Sequence, residues 1–179
     1  MRMSPKDIAR SSGGFTLVES VVVMVVLAIV LACIATSLSF GTRIMASQRA
    51  IANADTLAST VNTSVSDVLR TSSTVPAIGA DGGSVTFTQD FVSPSRAKGS
   101  YTISPAEDGT LQIADASGDS GAFLPSGVYV DGDRVSVTFA TGDAAAGKAT
   151  TQVTTTVTST QGDVLSTQTI SVETLGGGA

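Results

Sequence analysis

Between Phe15 and Phe40 the chain carries only six polar residues, Thr16, Glu19, Ser20, Thr36, Ser37 and Ser39, and Val21 to Ala35 is unbroken by any of them. At about 1.5 Å of rise per residue, some twenty helical residues cover the roughly 30 Å hydrocarbon core of a bilayer, so this stretch is long enough to span one. Arg2, Lys6 and Arg10 precede it against Asp7, and after Glu19 no charge appears until Arg43. The basic flank is expected to stay on the cytoplasmic side of the membrane, which sends the C-terminal part outward.

Charge and residue types narrow what that outer part can do. The chain has ten basic and fifteen acidic residues, net -5; residues 1–14 hold three basic and one acidic, so the remainder, with seven and fourteen, is net -7. An acidic exported part has no nonspecific attraction to nucleic acid, and no nucleic-acid partner is expected. Arg96 and Lys98 in "PSRAKGS" are the only close basic pair there and read as a solvated loop. The chain has no His, no Trp and a single cysteine, Cys33, which excludes a His-based triad and an internal disulfide. Asp115, Asp119, Asp131 and Asp133 could in principle hold calcium, but "DASGDSG" lacks the spacing and terminal Glu of an EF-hand loop, and Asp-Gly pairs are what turns require. No enzyme activity, no metal and no other cofactor is expected.

Residues 15 to about 70 contain no proline and one glycine, Gly41, which allows a single long helix of roughly 80 Å. Its second half keeps an apolar stripe of Ile44, Ile51, Ala54, Ala58, Val61, Val65 and Val68, with Arg49, Asp55, Asn62 and Asp67 largely off it. "TVPAIGADGG" then breaks the helix with Pro76 and paired glycines. From Ser84 onward "SVTFTQDF", "SYTIS", "TLQIA", "GVYVD", "RVSVTFA", "TTQVTTTVTST" and "VLSTQTISV" alternate apolar and polar residues as half-buried strands do. Turns are expected at Glu107–Gly109, Asp131–Asp133 and Gln161–Asp163. The expected fold is α+β: a long N-terminal helix, membrane-spanning then amphipathic, packed on a C-terminal antiparallel β-sheet domain. A meander-like antiparallel arrangement is expected, with Val135, Val137, Phe139, Val153, Val157, Ile170 and Val172 on the helix and a threonine-rich opposite face, the number of sheets and the strand order being left open. The boundaries are a basic leader at 1–14, the membrane half at 15–40, the amphipathic half at 41–72, a linker at 73–83, the β-rich domain at 84–175 and a tail at 176–179.

Glu19 is out of place in such a run. A carboxylate at the centre of a lone membrane helix costs roughly 2.5–3.5 kcal/mol on insertion scales. If the chain were cut between Gly14 and Phe15, the new α-amino group, with a reference pKa of about 7.7–8.0, would be mostly positive at neutral pH. That cation and Glu19 could pair on one helix or between staggered neighbours and set the register of identical packed helices.

The string "GFTLVES" resembles the signal of type IV pilins and pseudopilins: Gly14 before the cut, Phe15 as the new N-terminus, Glu19 at the fifth mature position, then an apolar helix. The resemblance implies cleavage of the leader by a prepilin peptidase, methylation of Phe15, and assembly through the helix with Glu19 as the assembly residue. It also implies the partners: the peptidase, other pilin subunits of one filament, an inner assembly-platform membrane protein, and membrane lipid before assembly. The expected location is the cytoplasmic membrane, single-pass with the N-terminus inside, then a surface or envelope filament. The chain departs from the family in having neither a proline in the apolar helix nor a cysteine pair. Minor pilins, pseudopilins of secretion or competence machines, and pilins of Gram-positive bacteria remain open. Two rival readings use the same run. "VLAC" loosely resembles a lipoprotein signal acting at Cys33, and a secretory signal cut near Ala35 would release a β domain with a binding role; either one discards Glu19.

Overall fold

The computed structural model describes residues 17–92, 96–129, 132–142 and 149–174. Contacts divide the chain into two units, Met1–Ser47 and Gln48–Ala179, and each is described by itself. Helix α1 runs Leu17–Arg70, uninterrupted at Gly41. In the first unit the helix is solvent-facing all round, as expected of a segment whose apolar surface is meant for lipid or for other helices.

In the second unit the helix becomes one-sided. Ala54, Leu57, Ala58, Val61, Val65 and Leu69 are buried, at the three- and four-residue steps that line one helix face. The stripe therefore begins to be covered at Ala54; Ile44 and Ile51, at its expected start, are 40% and 43% exposed. Asn62 does not lie off the stripe as expected but inside it, 4% exposed. Its Oδ1 accepts the Thr155 hydroxyl at 2.7 Å, so this buried amide has a partner and the helix face can hold it. After Arg70 the chain is tied down before Pro76: Ser72 N–H donates to Leu69 O, and Ser73 N–H donates to Thr88 O at 2.9 Å. The buried Ser72 hydroxyl donates to Thr74 O and accepts from Thr88 N–H.

The β domain is two antiparallel sheets, each with its strands in sequence order as a meander. The first has five strands in sequence order: β1 (Ala77–Ile78), β2 (Val85–Gln89), β3 (Gly99–Pro105), β4 (Leu111–Asp115) and β5 (Ser120–Ala122). The second has three: β6 (Arg134–Thr141), β7 (Thr150–Thr158) and β8 (Val164–Glu173). The break falls at "GVYVD", which reads as a strand but instead contains a 3-10 turn at Ser126–Val128. Pro125 sets the entry to the turn, and Tyr129 turns its phenol toward β4, where it accepts Leu111 N–H at 3.0 Å. Burial pushes the Tyr129 phenol above its ordinary pKa, against the opposing pull of that accepted bond. Strand β1 lies inside the segment expected as a linker, and β5 inside the Gly-rich stretch read only as a turn.

Two turns join the sheets along the outer edge of β6. Phe139 N–H donates to Gly82 O at 2.7 Å, and Val135 N–H donates to Gly109 O at 2.8 Å. Both glycines have positive φ, +70° and +82°, and a Cβ on Gly109 would come within 2.5 Å of Arg134 Cγ. Only glycine takes that backbone conformation that close to another strand without strain.

One core joins helix and sheets. Val85, Phe87, Ile103 and Leu111 from the first sheet and Val135, Val137, Phe139, Val153, Val157 and Val172 from the second pack with the helix stripe; Ile170 is only half-buried. Threonine is not confined to the outer face of the second sheet, since Thr151 and Thr155 are buried. Phe87 is the largest fully buried side chain and stacks on Tyr101 at 5.8 Å between ring centroids. Phe87→Ala is expected to destabilise the β domain by about 3–5 kcal/mol, through lost burial plus the cavity left behind. Denaturant unfolding of the full chain in detergent checks this, and a loss under about 1 kcal/mol would remove Phe87 from the centre of the core.

Candidate functional site

The candidate site is built on the first part of α1. Glu19 lies in its first turn, exposed, where a carboxylate complements the helix dipole. Gly14 and Phe15 lie outside the described residues. Beyond Glu19 the large apolar side chains from Val21 to Leu38 are between 47% and 70% exposed, so nothing in the described chain covers this surface. Among the described residues, α1 is the one helix long and apolar enough to cross a membrane.

The polar residues at the end of the run satisfy themselves. Thr36 Oγ1 donates to the carbonyls of Ala32 and Cys33, Ser37 Oγ to Cys33 O at 2.8 Å, Ser39 Oγ to Ala35 O at 3.0 Å, and Thr42 Oγ1 to Ser39 O. Each hydroxyl therefore needs no water, which is what an apolar surround demands of a polar side chain. Sequence reading passed over this, although Ser and Thr inside a helical run commonly bond back three or four residues. Cys33 sits among these groups with its side chain exposed on the helix.

Residues 9–32 match the family model described as the prokaryotic N-terminal methylation motif. This is the type IV pilin and pseudopilin signal. The pilin-type signal spans Gly14, Phe15 and Glu19 and covers the N-terminal segment alone. It supports a pilin-like chain that prepilin peptidase processes, and suggests a structural protein. Together with the apolar helix, it fits anchoring in a membrane before assembly. No curated protein and no solved structure shows significant similarity to the chain.

The other charged residues weighed from sequence do not converge on a site. Asp115 Oδ1 accepts the N–H groups of Ser117 and Asp119, closing the turn before β5. Asp131 lies outside the described residues, and no three His, Cys, Asp or Glu among those described are placed to hold a metal ion. Lys98 reaches Asp90 at 3.1 Å across exposed surface. That hydrogen bond, with a second from Ser73, holds the Asp90 carboxyl below its ordinary pKa, so the charged pair persists at neutral pH and loosens as acid protonates Asp90.

Proposed function

We propose that the chain is a structural subunit, pilin or pseudopilin, of a type IV pilus-like filament. Prepilin peptidase cuts between Gly14 and Phe15 and methylates Phe15, and the subunit waits in the cytoplasmic membrane with its N-terminus inside and its β domain outside. An assembly-platform protein of the inner membrane then extracts it into a surface or envelope filament. Residues 15–40 form the filament core, 41–72 carry the chain out of it, and the β domain decorates the outside. The carboxylate of Glu19 pairs with the α-amino group of Phe15 on a neighbouring subunit and sets the stagger between helices.

The observation that carries this reading is the methylation motif at the head of a long helix whose apolar surface no part of the described chain covers. The same match supports it over the rivals, because a lipoprotein cut before Cys33 or a secretory cut near Ala35 would discard every residue of the matched segment. The test is the intact mass and N-terminal sequence of the protein from its host's membrane and sheared-surface fractions. Methylated Phe15 is the expected N-terminus. A lipid-bearing Cys33, or a start near Ala35, would sink the proposal.

A further inference from the structure

The buried stripe of α1 does not hold the β domain equally along its length. Toward its C-terminal end the side chains are branched: Val61, Val65 and Leu69 are fully buried, and the chain beyond is tied to β2 by the bond from Ser73 N–H to Thr88 O. Toward its N-terminal end Ala54 and Ala58 bring one methyl each, and Leu57 is the only large apolar side chain of α1 buried before Val61. Buried apolar area sets how firmly a turn of helix is held, so the turn from Ala54 to Ala58 is the weaker part of the contact.

Polar bonds are placed where the apolar contact is least. The buried Ser166 hydroxyl of β8 donates to Asp55 Oδ1. Gln168, next along the same face of β8, donates from Nε2 to the Asp55 carbonyl at 3.3 Å and accepts Asn62 Nδ2 on its Oε1 at 3.4 Å. Asn62 in turn accepts the Thr155 hydroxyl. Donors and acceptors therefore run in one sense, from Thr155 through Asn62 and Gln168 to Asp55, and each bond polarises the next. The two amide bonds are long and yield easily, and Asp55 is exposed, so the far end of the series opens to water.

We propose that Asp55, Ser166 and Gln168 form a latch that holds the first buried turn of α1 on the second sheet, and that this turn peels away by itself when the latch is broken. Closed, the β domain holds the helix from Ala54 onward; open, it holds it from Val61, which frees about 10 Å of helix. The latch thus sets how much of α1 the domain covers. It stands on contacts within the β domain and its own stretch of helix, and does not depend on the filament reading.

The test is the rate of thiol labelling of the full chain in detergent, with Leu57→Cys or Val65→Cys in a Cys33→Ser background. Both positions are buried, so each thiol reacts only when its turn of helix lifts. Compared within one cysteine background, Asp55→Ala is expected to speed labelling at position 57 about tenfold and to leave position 65 unchanged, and Ser166→Ala to do the same. Asp55→Asn keeps an oxygen for the Ser166 hydroxyl and is expected to label near the parent rate. Ala58→Cys reports on the same turn without removing a large side chain, in case Leu57→Cys disturbs the fold. Equal acceleration at positions 57 and 65 would show that these bonds stabilise the whole domain rather than one turn, and would overturn the proposal. Unchanged labelling at positions 57 and 58 in Asp55→Ala, or Asp55→Asn labelling as fast as Asp55→Ala, would overturn it as well.

Discussion

Gly14→Leu is expected to leave residues 1–14 on the protein, to hold it in the membrane at its precursor mass, and to abolish filaments. The reason is local and steric. Glycine presents no side chain where the peptidase must close on the bond to Phe15, and a four-carbon side chain there asks the enzyme for space that an optimised pocket does not have. Misfits of this size change enzymatic selection by about 10- to 200-fold, so cleavage should slow on the order of a hundredfold. Gly14→Ala, with one carbon, should show an intermediate defect. Mass spectrometry of the membrane fraction separates precursor from product. Efficient maturation of the leucine variant would remove prepilin-type processing from the account, whatever the filament assay shows.

Glu19→Ala separates processing from assembly. Cleavage at Gly14 should proceed, because the substitution is five residues beyond the bond, and the shortened helix should still anchor. What fails is packing: the α-amino group of a neighbour's Phe15 would enter an apolar bundle with no counter-charge. Breaking one side of a buried pair costs about 3–5 kcal/mol, which reduces incorporation by more than roughly a hundredfold. Glu19→Gln keeps the shape and some hydrogen bonding but not the charge, and should fall between wild type and alanine. The measurement is filament yield at equal levels of processed subunit. Normal yield from Glu19→Ala would remove the registry role and leave Glu19 as a helix N-terminal carboxylate that complements the dipole.

The site and the β domain were legible to different degrees, for a physical reason. Everything proposed for the site is local in sequence: a leader, a Gly-Phe bond, a carboxylate four residues on, and an apolar run. The family match falls on the same residues. The helix was readable to its end because no proline and one glycine occur between Phe15 and the break near Pro76. Six of the seven alternating runs form strands, all but "GVYVD".

What the sequence by itself determined, then, is the set of locally encoded features: the apolar helix, its amphipathic continuation, the strands and the processing signal. Tertiary structure alone decided which elements share a sheet and what a side chain meets across it. Whether "GVYVD" extends as a strand depends on Tyr129 finding Leu111 N–H, eighteen residues away. Asn62 reads as a surface residue until Thr155, ninety-three residues on, accepts it into the core by bonding its carbonyl. The division into two sheets, and the meeting of Gly82 and Gly109 with the edge of β6, likewise join residues far apart in sequence. Period and propensity act over a few residues, whereas satisfying a buried polar group or a strand edge depends on partners that folding alone brings together.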